Sequence, residues 1–196
     1  MRKVIVSQFM SVDGVIEDPG GAEGWDRGGW AFQFDRGAEG DKFKLDEVMD
    51  SGALLLGRVT YEAFADAWPS REGDFADKFN NMPKYVVSTT LQDPEWDNSA
   101  VIGDDVAEEI RKLKQEDGDD ILVNGSATLV ATLTEHDLVD EYRLMVYPIA
   151  LGSGKRLFAE GPEATRLRLV DTKPAGETLI LTYEPAPKGG ETPATS

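Results

Sequence analysis

"LLLGRVTYEAF", residues 54–64, runs a fully apolar strand segment straight into Gly57, Arg58 and Thr60. The preceding residues extend it to "SGALLLG", a short apolar run of the kind that lies in a sheet covered on both faces. Helical spacing then begins at Thr60 and holds through Ala67. The same order of strand, glycine and helix recurs in "DDILVNGSATLVATL", residues 119–133, where Ser126 is placed to cap the helix. Two such junctions in one chain predict parallel strands joined through helices.

The neighbouring segments extend this pattern. "RKVIVSQF" (2–9) reads as a first strand, closed by a turn at Asp13 and Gly14. A helix is expected over residues 41–50, with Leu45, Val48 and Met49 at i+4, i+7 and i+8 from Asp41. "DFADKFNNM" reads as a short helix stopped by Pro83, and "KYVVST" as a strand. Residues 104–116 give the clearest helix: Val106, Ile110 and Leu113 form its inner face, and Asp105 with Glu108 has the capping-box spacing. Three more strands follow in "LVDEYRLMVYPIALG", "RLRLVDTKP" and "ETLILTYEP", the last two forming a hairpin around residues 174–176. Together they predict a three-layer α/β domain over residues 1–185, with a mostly parallel central sheet and an antiparallel edge. Residues 186–196 have a disordered composition.

Bulk properties exclude several functions. The chain has 196 residues, 37 acidic against 20 basic, and a net charge of −17. That field opposes nucleic acid as a partner, so an anionic ligand needs a local site of backbone amides or basic side chains. No apolar stretch reaches the length of a membrane span, and no secretory leader pattern is present, so a cytoplasmic location is expected. Cysteine is absent, and the lone His136 lacks companions at ligand spacing; no metal site is expected.

Ligands of open α/β sheets bind beyond the carboxyl ends of the strands, where helix N-termini present free amides. Gly57 and the pair Gly125–Ser126 both sit at such ends, and Arg58 adds a planar fork suited to phosphate. Each glycine alone equally suits a simple chain reversal. "GSGKR" (152–156) does not complete a phosphate loop, because Ile149 stands where the first glycine belongs and Arg156 where Ser or Thr belongs. Residues 20–40 are glycine-rich yet carry Trp25, Trp30, Phe32 and Phe34. Such a loop is either pinned to the body by its rings or acts as a lid.

"LLLGRVTYEAF", "KYVVSTTL", "DDILVNGSATLVATL" and "LVDEYRLMVYPIALGSGKRLF" together resemble the dihydrofolate-reductase-like superfamily. Within it, "MSVDGVI" and "LGSGKRLF" look most like the reductase half of the riboflavin-biosynthesis deaminase–reductase and its stand-alone bacterial relatives. The resemblance covers about residues 3–183. It implies NADPH as cofactor, with Arg58 and Thr60 around the 2′-phosphate and Ser88 and Thr89 beside the adenine ribose. Gly125, Ser126, Ala127 and Thr128 would hold the pyrophosphate. Asp41 matches the acidic residue of the early helix that supports protonation; as a residue following Gly40 it reads equally as a helix cap. The implied substrate is a small heterocycle, pyrimidine- or pteridine-like, with Gln8 on the pocket floor, Asp13 and Gly14 at its mouth, and Trp25 or Trp30 as lid. Arg27, Arg36 and Arg71 are candidates for holding a sugar phosphate. The chain departs from the family in two places: "GWDRGGWAFQF" replaces the proline–tryptophan pair of the pteridine reductases, and the zinc deaminase half has no counterpart here. Relatives pair through sheet edges near the C-terminal strands, so a homodimer through "RLRLVDTK" is expected.

Overall fold

The computed structural model describes residues 1–158 and 164–187; most of the expected tail, residues 188–196, lies outside them. The strands are β1 (Val4–Ser11), β2 (Ser51–Gly57), β3 (Lys84–Val87), β4 (Ser99–Ile102), β5 (Asp120–Val123), β6 (Glu141–Tyr147), β7 (Leu167–Ala175) and β8 (Thr178–Pro185). The helices are α1 (Gly37–Met49), α2 (Arg58–Ala67), α3 (Asp74–Asn81), α4 (Val106–Gln115) and α5 (Ala127–Glu135). One eight-stranded sheet runs β4-β3-β2-β5-β1-β6-β8-β7. Strands β1 to β6 pair in parallel, and β8 lies antiparallel between β6 and β7.

Alternation along the central strands sends successive side chains to opposite faces, and both faces are apolar. Val4, Val6, Leu55, Ile121 and Val123 pack on Ile110 and Leu113 of α4 and on Leu129, Val130 and Leu133 of α5. Ile5, Leu54, Leu56, Val86 and Leu122 pack on Val48 of α1, Tyr61 of α2 and Phe79 of α3. The expected three-layer α/β architecture is therefore present, with helices on both sides of the sheet.

Three local expectations differ. α1 begins at Gly37, four residues before Asp41, with Arg36 at its N-cap. Asp41 is thus inside the helix and does not cap it. The inward face of α1 is Gly40, Glu47 and Val48, and Met49 is 45% exposed. Asp105 adopts a left-handed conformation (φ 47°) without a side-chain cap, so the capping box does not form; its carbonyl accepts from the amides of Glu108 and Glu109 instead. Between the strand expected at "KYVVST" and the helix expected over 104–116, Ser99–Ile102 add an edge strand β4 paired with β3.

Candidate functional site

The two strand–glycine–helix junctions touch. β2 and β5 are adjacent and parallel, so their carboxyl ends deliver Gly57 and Gly125 side by side. Gly57 N donates to Gly125 O at 3.1 Å. A Cβ on Gly57 would lie 2.4 Å from Ser126 Oγ, and one on Gly125 would lie 2.9 Å from Thr60 Oγ1. Only glycine permits this approach. Ser126 caps α5 as expected, its hydroxyl accepting from Leu129 N at 3.4 Å. The first amides of α2 and α5 have no acceptor within their own helices, and both helix N-termini carry partial positive charge.

A cleft of about 160 Å³ opens there, lined by Gln8 from β1, Thr60 from α2 and Asn124, Gly125, Ser126, Ala127 and Thr128 from the second junction. The Asn124 Nδ2 donates to Ser7 O at 3.3 Å, which leaves Oδ1 buried without a donor. The loop after β1 closes the cleft. Asp18, almost fully buried with φ 43°, folds that loop on itself: its carboxylate accepts from the amides of Glu23 and Trp25, both at 3.0 Å, and its carbonyl from those of Gly21 and Gly29. The result aims the Glu23 side chain inward, where its Oε1 accepts from Thr60 Oγ1 at 3.2 Å. Burial pushes the Glu23 carboxyl upward, the Thr60 hydrogen bond opposes this, and the charge of Asp18 reinforces it. Lys155 also lines the cleft, its Nζ 3.0 Å from Glu17 Oε1.

The cleft brings together Gln8, Thr60, Gly125, Ser126, Ala127 and Thr128, with Gly57 as their backbone contact. The remaining anticipated site residues lie apart from it. Arg58 is not in the lining, and its guanidinium pairs with Glu62 one turn on at 2.9 Å. Ser88 spends its hydroxyl on the amides of Thr90 and Leu91 in the turn after β3, and Thr89 is exposed. Asp41 is two-thirds exposed, with Arg36 Nε 2.6 Å from its Oδ1. Asp13 and Gly14 secure the chain after β6: Asp13 accepts from Ser11 Oγ and from the amides of Leu151 and Gly152, and Gly14 O accepts from Leu157 N. The Ser11 hydroxyl, followed by the Leu151 amide, lowers the Asp13 carboxyl to about 2. Trp30 is core, 1% exposed, with its indole donating to Glu17 O at 2.9 Å and its ring edge-on to Tyr147. Trp25 packs against Gly154. The loop is thus pinned by its rings.

Sequence reasoning did not single out Glu23, Asp18, Asn124 or Lys155. It also missed a buried ionic group beneath α1, where Glu47 (1% exposed side chain) and Lys44 approach to 2.5 Å, Lys44 donates to Ser7 Oγ, and Arg143 of β6 lies 3.8 Å from Glu47. Burial of these charges follows from their mutual pairing. Among the described residues no helix is long and apolar enough to cross a membrane, and no group of three or more histidines, cysteines or carboxylates could hold a metal.

Comparison with known proteins gives a consistent picture. Residues 2–181 match the family described as the RibD C-terminal domain. The uncharacterized protein YyaP of Bacillus subtilis (strain 168) is 32% identical over 178 residues, 88% of each chain. A putative riboflavin biosynthesis protein from Shewanella sp. PV-4 superposes with TM-score 0.74 at 20% identity, covering 94% of this chain and 99% of its own. The dihydrofolate reductase from Enterococcus faecalis, complexed with NADP(H), superposes with TM-score 0.55 at 16% identity, covering 93% and 96%. The fold is dihydrofolate-reductase-like.

Proposed function

Because the chain belongs to the RibD C-terminal domain family, we propose that it is a cytoplasmic NADPH-dependent reductase that delivers hydride to a small heterocycle of the pyrimidine or pteridine type. The observation that carries this reading is the contact of the two junctions. It assembles two helix N-termini, the Thr60 hydroxyl and unhindered backbone at one point, which is what a phosphate needs in a chain of net charge −17.

NADPH supplies the hydride; the chain binds and orients it. The amides of Ala127 and Thr128 and the Thr60 hydroxyl donate to phosphate oxygens. The glycine at 125 keeps any side chain out of that seat. Asn124 Oδ1, buried and without a donor, suits an amide or amino N–H of the bound molecule. Arg58 serves the 2′-phosphate by exchanging Glu62 for it, a modest change because their exposed pair is worth only about 0.5 kcal/mol. Ser88 and Thr89 take the ribose end, and Gln8 forms the floor. Asp41 lies outside the cleft with its carboxylate held by Arg36, so proton delivery is assigned to water.

Fluorescence titration of NADPH and NADH against wild type and Arg58→Ala tests the cofactor. Preference for NADPH in wild type, lost in the variant, is expected; equal affinities in wild type would remove the role given to Arg58. The placement of Asp41 favours a second reading, an NADP-binding protein without turnover. NADPH oxidation with dihydrofolate and with a panel of pyrimidine acceptors separates the cases, since oxidation by dihydrofolate alone identifies a dihydrofolate reductase proper and oxidation by none identifies a binding protein.

The same proposal includes a homodimer. Among the described residues β7 pairs with β8 alone, leaving its outer edge open, and Leu169 and Val170 on it are 50% and 47% exposed. An open strand edge nine residues long, with two exposed aliphatic side chains beside Arg168, Asp171 and Lys173, is a surface that a second copy can cover.

A further inference from the structure

We propose that Glu23 is an internal occupant of the phosphate seat, and that a coenzyme phosphate enters only by displacing it. The inference rests on the reading of the cleft as a phosphate site. Three independent features carry it.

The first is position. Glu23 Oε1 takes the hydrogen bond of Thr60 Oγ1, in the same cleft as the N-terminal residues of α5. A carboxylate there uses a donor that a phosphate oxygen would use, and it sits in the favourable field of two helix ends. Space is the second. The cleft holds about 160 Å³, whereas pockets for drug-sized ligands occupy roughly 300–1,000 Å³. That is room for one phosphate group, against a wall where the Glu23 carboxylate already takes the Thr60 hydrogen bond. The third is how Glu23 is held. Its amide is fixed by the Asp18 carboxylate, and Asp18 is itself locked by a left-handed backbone and two further amides. Yet Glu23 lies within "GGAEG", residues 20–24, with glycines on both sides. Glycine costs little to re-aim. The anchor at Asp18 can therefore persist while the Glu23 side chain swings out.

Charge gives the exchange its direction. The cleft wall carries Glu17, Asp18 and Glu23 against the single cation Lys155, which is paired with Glu17. A phosphate entering beside Glu23 meets repulsion and a donor already in use. Once Glu23 leaves, the Thr60 hydroxyl and both helix ends are free for the ligand, and Lys155 faces one carboxylate fewer.

Removing the carboxylate should tighten coenzyme binding. NADPH is titrated into wild type, Glu23→Ala and Glu23→Gln, with thermal melts confirming that each is folded. Glu23→Ala should bind about tenfold more tightly, the scale of one hydrogen bond to a charged group. Glu23→Gln, which keeps the acceptor and loses the charge, should fall between. Equal or weaker NADPH binding by both variants, where wild type binds, overturns the proposal. Should neither wild type nor variants bind NADPH, the reductase reading fails and inorganic pyrophosphate decides the role of Glu23: tighter binding by Glu23→Ala than by wild type upholds the displaced carboxylate, and no gain refutes it.

Discussion

Gly57→Ala tests whether the contact of the two junctions matters as argued. Gly57 has φ −77° and ψ 158°, an ordinary conformation for any residue, so alanine meets no backbone strain there. On conformational entropy alone the change would stabilise the fold by about 0.4–1 kcal/mol. The packing opposes this. The new methyl would lie 2.4 Å from Ser126 Oγ, 3.0 Å from its Cβ and 3.1 Å from its N. The hydroxyl can retreat by giving up its cap on α5, at about 1 kcal/mol, but the Ser126 backbone moves only if the junction opens. Overpacking of this kind costs about 1–3 kcal/mol. The net expectation is a loss of about 1–2 kcal/mol, or a Tm lower by roughly 3–6 °C for a chain of this size. NADPH affinity should fall about tenfold, since a shift near 1 Å misaligns the amides of α5 from the Thr60 hydroxyl. Thermal unfolding and fluorescence titration measure the two effects. A variant at least as stable as wild type, with unchanged NADPH affinity, would refute the claim that close backbone approach builds the site.

Two further outcomes follow from geometry. The Asp13 carboxyl, lowered from 3.8 to about 2, contributes stability that is present above its unfolded pKa and lost as pH falls through the folded value; the full shift is worth about 2.4 kcal/mol, and with a quarter of the side chain exposed solvent screening leaves about 1 kcal/mol. Acid unfolding of Asp13→Asn should therefore be flatter than that of wild type between about pH 4 and pH 2, as read by circular dichroism. Leu169→Arg places a charge on the open edge of β7, where Leu169 is half exposed, so sedimentation should shift from dimer to monomer with Tm changed by no more than about 2 °C.

The junctions were legible because their signals are local. An apolar run, a glycine and a helical period need only neighbours in sequence, and Ser126 caps α5 as its position suggested. Elsewhere local signals misled. Glu47 is buried because Lys44 and Arg143 reach it, the latter from a strand nearly a hundred residues away, and no helical periodicity encodes that. Asp41 was expected from the family resemblance to be the acidic residue of the early helix, yet α1 starts at Gly37, where Gly176 packs so closely that a Cβ on it would lie 2.6 Å from Arg36; the helix presents Asp41 to solvent. Trp30 resembled a lid residue until Tyr147 and the Glu17 carbonyl enclosed it.

The sequence by itself determined the α/β class, the strand–helix order and the glycines that permit close backbone approach, since each is a preference of residues within a few positions of one another. Tertiary structure alone decided that Gly57 meets Gly125 and that Glu23 reaches Thr60 across 37 residues. Those contacts depend on strand order and loop closure, which are set by burying both faces of the sheet at once and leave no periodic trace in the chain.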